Sequence, residues 1–208
     1  MKNFFSCMFL AVIITACSEV ATEIVEVSDS TTITQCIPVT PDINKDLHSK
    51  VLVVPANMEE YDYFIQTMRR YAYDAQTASY GVRYNGKKRQ HLVITLLKPG
   101  KKVTAKYGII QLKGHTHDMD WCYQQARESI VPGKTIIVSG GCRSSQNACF
   151  YANNNVSAFT VSDVGYGPQN DYLVLQMQSL LQDYSYSETL DLLKDQAPRV
   201  MAAYVYPN

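Results

Sequence analysis

The fold of this chain is decided by residues 106–142, which read KYGIIQLKGHTHDMDWCYQQARESIVPGKTIIVSGGC. Two short apolar runs, GIIQLKG (108–114) and TIIVSGG (135–141), are rich in β-branched residues and end in glycine, which predicts two buried strands. About twenty residues separate them, enough for the crossover that parallel neighbours require. Such crossovers are right-handed almost without exception. The stretch therefore predicts an α/β domain whose core strands come from the middle of the chain.

The segment between these two strands, residues 118–130, has the pattern of an amphipathic helix. Asp118 is expected to cap it, and Pro132-Gly133 is expected to end it. One apolar stripe at helical spacing is predicted to face the sheet: Met119, Cys122, Tyr123, Ala126 and Ile130.

The flanking sequence continues to alternate between strand and helix patterns. A strand is predicted over 50–56, a helix over 58–76, a hairpin turning at Asn85-Gly86, a strand over 155–163, and closing helices over 172–184 and 187–197, the last capped by Ser187. These elements predict an α/β fold in three layers, with a mostly parallel central sheet flanked by helices.

A reactive side chain follows each of the two decisive strands. His115 comes directly after the first, and Cys142 comes directly after the second, 27 residues later. Parallel strands end at the same edge of a sheet, where open α/β sheets bind ligands, and neighbouring strands lie roughly 4.8 Å apart. A thiol beside an imidazole, with glycine backbone nearby, is the arrangement that a cysteine nucleophile requires.

These two motifs, IIQLKGHTHD (109–118) and TIIVSGGCRSS (135–145), resemble the caspase–haemoglobinase superfamily of cysteine peptidases. In that superfamily one strand ends in a histidine within a small turn, and the next ends in a small-residue turn that carries the catalytic cysteine. The resemblance covers about residues 106–165. It implies a caspase-like fold in which Cys142 is the nucleophile and His115 is the base or acid.

The same resemblance implies the rest of the site. Backbone N–H groups around Gly114, Thr116, Gly141 and Cys142 would hold the oxyanion, and the substrate would be a peptide or protein. No metal or organic cofactor is implied. His117, two residues after His115, offers a second imidazole, so the identity of the base stays open.

The N-terminal residues 1–16 have the pattern of an export signal, with Lys2 followed by an apolar run. The sequence that ends in Ala16-Cys17 resembles the lipobox of bacterial lipoproteins, which implies lipidation of Cys17. Ser18 then implies sorting to the outer membrane, facing the periplasm or the cell surface. We expect residues 17–48 to form a tether, residues 49–208 to form the folded domain, and the lipid to be its only membrane attachment.

Four further cysteines remain after removal of the signal and lipidation, and they allow three complete pairings in an oxidising compartment. Cys36, Cys122 and Cys149 are the candidate disulfide partners, although Cys122, on the apolar stripe of the predicted helix, is most simply a buried thiol. A bridge to Cys142 would remove the nucleophile. The alternative function is therefore an inactive surface lipoprotein, or pseudoenzyme, that binds a partner.

Composition and spacing weaken other functional classes. The chain has 19 basic and 19 acidic residues and no basic stripe, which argues against nucleic-acid binding. His115 and His117 also suit a zinc hydrolase, but the other histidines, His48 and His91, both lie upstream, so this remains a weaker alternative. There is no G-x-S-x-G motif of a serine hydrolase.

Overall fold

The computed structural model describes residues 36–71, 73–86, 91–165 and 167–207. Their strands are β1 (Lys50–Pro55), β2 (Asp74–Ala78), β3 (Gly81–Asn85), β4 (Val93–Leu97), β5 (Ile109–Lys113), β6 (Ile136–Ser139), β7 (Ser157–Val161) and β8 (Tyr204–Val205). They form one sheet in the order β2-β3-β4-β1-β5-β6-β7-β8. The pairs from β4 through β7 are parallel, and the pairs β2–β3, β3–β4 and β7–β8 are antiparallel.

Apart from α1, which precedes β1, the helices lie in the connections between these strands. They are α1 (Lys45–His48), α2 (Met58–Tyr71), α3 (Met119–Ala126), α4 (Ala148–Asn153), α5 (Gly167–Leu180), α6 (Tyr186–Gln196) and α7 (Pro198–Met201). Short 3₁₀ turns span Thr116–Asp118, Arg127–Ser129 and Ser144–Asn147.

The central strands are buried on both faces, which explains their continuous apolar sequences. Val51 and Val53 face a core that also contains side chains of α2, α5 and α6. Leu52 and Val54 face a second core, which contains side chains of α3 and α4. The prediction of an α/β fold with a mostly parallel sheet between helices is confirmed.

The predicted strand–helix–strand unit is also confirmed. β5 and β6 are parallel neighbours, and every apolar position predicted to face the sheet between residues 118 and 130 is buried. The role of Asp118 differs from the prediction. Its carboxylate accepts the backbone N–H of His115 at 2.9 Å, so it caps the 3₁₀ turn that precedes α3 and makes no side-chain cap to α3.

The helix predicted over 58–76 is wrong at its C-terminal end. α2 ends at Tyr71, and β2 begins at Asp74. β2 pairs with β3, which in turn pairs with β4, so long-range pairing overrides the helical pattern at these positions. The predicted hairpin is confirmed by the pairing of Asn85 with Val93.

The C-terminal third contains elements that the pattern did not predict, namely α4, α7 and β8. The cap of α6 is Ser185 rather than Ser187. The Ser185 hydroxyl accepts from the N–H of Glu188, whose carboxylate accepts the N–H of Ser185 at 2.9 Å.

The folded region begins before residue 49. The His48 side chain is fully buried, the N–H of Asp42 donates to the Gly133 carbonyl at 2.8 Å, and Cys36 is joined by a disulfide to Cys149. Residues 36–48 therefore lie on the domain instead of forming part of a tether. The predicted export signal, Cys17 and the tether residues up to 35 lie outside the described residues.

Within the part of the chain that the structure describes, no helix has the length and apolar character that a bilayer span requires.

Candidate functional site

The two strands that precede His115 and Cys142 end side by side. Leu112 of β5 is in register with Ser139 of β6, and the N–H of Gly140 donates to the Leu112 carbonyl at 3.1 Å. The loops that leave these strands therefore start from one sheet edge, as the sequence predicted.

Beyond the strands, the two loops stay in contact. Gly141 lies against the backbone of Thr116, where a Cβ at Gly141 would be 3.0 Å from both the Thr116 N and Cα atoms. It would also be 3.2 Å from the His115 carbonyl carbon. The Thr116 hydroxyl donates a hydrogen bond to the Cys142 carbonyl oxygen. The structure thus brings the backbones of the histidine loop and the cysteine loop together.

Three hydrogen bonds hold the cysteine loop. The Ser144 hydroxyl donates to the Ser139 carbonyl at 2.8 Å and accepts the N–H of Val161 at 2.9 Å. Asn170 of α5 donates its side-chain N–H to the Gly140 carbonyl at 3.2 Å. These contacts tie the loop to β6, β7 and α5, so the backbone that carries Cys142 is fixed before any ligand binds.

Arg143, directly after Cys142, has a left-handed backbone with φ of 56°. Such a conformation costs free energy for a residue other than glycine and persists only where its surroundings impose it. Here the N–H of Arg143 donates to the Asp163 carbonyl at 2.7 Å, and the two side chains form an ion pair with Nε 3.8 Å from Oδ1. Asp163, just after β7, therefore fixes the turn that presents the cysteine.

His115 is exposed at the start of the 3₁₀ turn. Its N–H donates to Asp118, and its imidazole stacks on that of His117 with ring centroids 5.7 Å apart and planes 11° apart. His117 is 79% exposed and lies 3.5 Å from an Asp118 oxygen through Nε2. Both histidines predicted as candidate bases thus lie at the same solvent-facing turn.

The four cysteines that the structure describes are divided between one disulfide and two thiols. Cys36 is bonded to Cys149, so neither Cys142 nor Cys122 is bridged to them. Cys142 retains its thiol and is half-buried, which contradicts the version of the binding-protein alternative that places it in a disulfide. The prediction that Cys122 is most simply a buried thiol, rather than a disulfide partner, is confirmed, and burial raises the pKa of this thiol to about 12.

Gly114, predicted near the oxyanion, lies where the histidine loop leaves β5. A Cβ there would be 2.7 Å from the Cβ of Ala56 and 2.9 Å from a carboxylate oxygen of Asp118. Only glycine fits at this distance. The residue therefore allows the histidine turn to pack against the end of β1.

Sequence reasoning missed Lys113, which precedes Gly114 and is only 3% exposed. Its Nζ lies 3.2 Å from Oδ1 of Asp171 on α5 and 3.5 Å from Oε2 of Glu60 on α2. Gln111 donates to the same Asp171 oxygen at 2.7 Å. The sequence feature that could have revealed Lys113 is the alternation in IIQLK, which puts Gln111 and Lys113 on one face of an otherwise apolar strand.

The buried ion pair attaches both helices to the strand that carries His115. A buried ammonium without its carboxylate would be strongly destabilising, so Asp171 fixes α5 at this end of β5. Asn170, the neighbouring residue on α5, holds Gly140 of the cysteine loop. One helix thus positions both loops of the site.

Among the described residues, no group of three or more His, Cys, Asp and Glu side chains is placed to hold a metal ion. The imidazole of His48 is used structurally, because its two nitrogens lie 2.8 Å from the Asn44 carbonyl and 3.0 Å from the Lys134 carbonyl.

Comparison of the chain with protein-family models, with curated proteins and with solved structures found no match.

Proposed function

We propose that this protein is a cysteine peptidase or a related amide hydrolase with a caspase-like arrangement of its sheet, using Cys142 and His115. The observation that carries the proposal is the contact between the two loops. A thiol outside any disulfide and an exposed imidazole follow neighbouring parallel strands, and Gly141 packs directly on the backbone of His115 and Thr116. The resemblance of the two motifs to the caspase–haemoglobinase superfamily supports the same assignment.

In the proposed reaction, His115 takes the proton of the Cys142 thiol, and the sulfur attacks the carbonyl carbon of the substrate amide. The C–N bond breaks as the imidazolium returns that proton to the leaving amine, which leaves a thioester. Water then gives a proton to His115 and attacks the thioester. The C–S bond then breaks, and the imidazolium of His115 returns its proton to the sulfur of Cys142. The products are a carboxylic acid and the regenerated thiol.

The rigid backbone of the cysteine loop supports this role. Catalytic groups must be held close to their productive geometry, and the contacts of Ser144, Asn170 and Asp163 do this for the backbone around Cys142. Backbone N–H groups around Gly114, Thr116, Gly141 and Cys142 are the proposed oxyanion donors. In the proposed complex, the exposed His115 imidazole turns from His117 toward the thiol when a substrate binds, as catalytic hydrogen bonds often tighten only in the complex.

The proposal includes the cellular setting. Export, lipidation at Cys17 and sorting to the outer membrane would expose the site to peptide or protein substrates in the periplasm or at the cell surface. The lipid would be the attachment to the membrane.

Iodoacetamide labelling of the purified protein near neutral pH, without reductant, tests the dyad. We expect Cys142 to be alkylated much faster than Cys122, whose burial and raised pKa make it an internal control. His115→Ala should slow the labelling of Cys142 about ten-fold or more, because a thiol without an activating base has only a few per cent thiolate at neutral pH. Peptide mapping by mass spectrometry gives both rates.

His117→Ala is the matched variant, since it removes the stacked imidazole and leaves His115 in place. Slowing by His117→Ala alone would assign the base to His117. Labelling of Cys142 that is unchanged in both variants, or no faster than that of Cys122, would support the alternative of a partner-binding lipoprotein without this chemistry.

Turnover is tested separately with a mixture of unmodified peptides of varied sequence. Cleavage products that appear with the native protein and disappear with Cys142→Ala would demonstrate the peptidase, and the residues flanking the cuts would give its specificity.

A further inference from the structure

A cavity of about 530 Å³ lies at the opposite end of the strands from Cys142. One wall is formed by Lys50, at the start of β1, and Val93, at the start of β4. The other wall is formed by residues 102–105 and Tyr107, which lead into β5. Its volume falls within the range of about 300–1,000 Å³ that small-molecule sites occupy.

The sheet wall of this cavity is built by residues that share one face. Arg83 and Thr95 are register partners across β3 and β4, and Lys50 and Val93 are register partners across β1 and β4. Because Val93 and Thr95 are two residues apart on one strand, all four side chains lie on the same side of the sheet. This is the side on which Leu52 packs with α3 and α4.

The charged side chains that line the cavity are all positive. Lys50, Arg83 and Lys102 line it, and none of the lining residues that the structure describes carries a carboxylate. A concave site with cations on several walls concentrates its field and attracts anions. Arg83 adds a planar guanidinium that can bind a carboxylate or a phosphate through two parallel hydrogen bonds.

The floor of the cavity is rigid and partly apolar. Tyr107 and Thr95 are buried, and the Tyr107 hydroxyl donates to the Thr95 hydroxyl at 3.1 Å. Burial raises the pKa of Tyr107, and the hydrogen bond to Thr95 and the positive charge of Arg83 offset only part of this effect. Tyr80 and Val103 add apolar surface beside the cationic groups.

We propose that this cavity binds a small organic anion: a carboxylate or phosphate ester with an apolar or aromatic body. The guanidinium of Arg83 holds the anionic group, Lys50 and Lys102 neutralise its remaining charge, and Val93, Val103 and the tyrosine rings cover the body. The site uses none of the residues of the proposed Cys142 site, so either proposal can fail without the other.

Calorimetric titration of the full protein with three small probes tests this site. Phenyl phosphate and phenylacetate are the two anionic probes, and phenylacetamide is the neutral control of the same size. We expect at least one anion to bind, and phenylacetamide to bind about ten-fold more weakly or not at all, since hydrogen bonds to charged groups are worth a factor of ten or more. The tighter of the two anions identifies the phosphate or the carboxylate as the preferred group.

Arg83→Gln should weaken binding of the preferred anion about ten-fold or more. Lys194→Gln removes a positive charge from α6, which packs on the opposite face of the sheet from the cavity, and should leave the dissociation constant unchanged. Lys102→Gln is a second variant that removes a cation from the cavity. Arg83 and Lys102 are both exposed, so we expect both variants to fold, and circular dichroism checks this. The proposal is overturned if phenylacetamide binds as tightly as both anions, if neither anion binds at millimolar concentration, or if folded Arg83→Gln and Lys102→Gln proteins bind as the native protein does.

Discussion

At the residue scale, Gly141 determines how closely the histidine and cysteine loops approach. Its missing side chain leaves room for the Thr116 backbone and for the hydroxyl bond from Thr116 to Cys142. A methyl group at this position would have to displace main-chain atoms rather than the end of a flexible side chain. The separation of His115 from Cys142 therefore depends on a residue that has no chemistry of its own.

Gly141→Ala is expected to lower the free energy of unfolding by about 1–3 kcal/mol, as other overpacked substitutions do. It should also reduce the dependence of Cys142 alkylation on His115, because the loops are pushed apart. Gly167→Ala is the matched control, because the added Cβ would lie 3.4 Å from Lys113 Nζ, which is an ordinary contact. This variant should change the free energy of unfolding by less than about 0.5 kcal/mol. Urea unfolding and iodoacetamide rates measure both effects, and equal behaviour of the two variants would contradict this account.

The sequence allows some of these residues to be found and not others. His115, Gly141 and Cys142 can be identified because each follows a recognisable strand and its chemistry is local. The ion pair between Lys113 and Asp171 joins residues on different elements, and the left-handed backbone of Arg143 is imposed by Asp163 from beyond the next strand. Neither is encoded in a short window of sequence.

At the scale of elements, α1 is attached to the domain through His48. The His48 ring contacts the Lys134 carbonyl ahead of β6, and its backbone packs on Gly108, where a Cβ would lie 2.6 Å from the His48 N and Cα atoms. Burial lowers the pKa of this imidazole, although the carbonyls of Asn44 and Lys134 partly offset the effect. The ring is therefore neutral in the folded protein under conditions where an exposed histidine begins to take up a proton.

The free energy of unfolding is expected to decrease as the pH falls below about 6.5, the ordinary pKa of histidine. The unfolded chain binds the proton first, since the folded-state pKa is lower, so the contribution of His48 is fully present above this pH and is lost below it. Asp42 and Lys134 are the charged groups that act on this ring. Denaturant unfolding between pH 5 and pH 7, a range of about two units around that ordinary value, measures this dependence. The free energy of unfolding should change less steeply with pH for His48→Gln than for the native protein, and equal slopes would contradict the role given to His48.

Helices and strands can be predicted where a single continuous stretch of sequence carries their hydrophobic pattern. The unit formed by β5, α3 and β6 is read from a single continuous stretch, and its crossover allows only one sensible arrangement. β8 has two residues and exists because it pairs with β7, more than forty residues earlier. The first three residues of β2 have the pattern of a helix end, because the pairing that makes them a strand depends on β3, which comes later in the sequence.

At the scale of the whole molecule, the disulfide between Cys36 and Cys149 links the N-terminal described segment to α4 across 113 positions of sequence. β1 to β6 lie between the two cysteines. Sequence alone left three pairings open, because pairing depends on which segments meet in the fold. The observed pairing leaves Cys142 as a thiol only seven residues from a bridged cysteine.

Closing a loop of this length removes conformational freedom mainly from the unfolded chain, by about 4–5 kcal/mol in the loop-entropy treatment, whereas typical measured values are about 2–4 kcal/mol. The double variant Cys36→Ala/Cys149→Ala should therefore lose about 2–4 kcal/mol of unfolding free energy. Cys142→Ala keeps the bridge, so dithiothreitol should lower the unfolding midpoint of this variant as it does for the native protein. The same reductant should leave the midpoint of the double variant unchanged.

The double variant should still show rapid, His115-dependent alkylation of Cys142, because Asp163, Asn170 and Ser144 hold the cysteine loop without help from the bridge. If that labelling disappeared while the protein remained folded, the disulfide would be part of the site itself, and the loop contacts would not be sufficient to position the thiol.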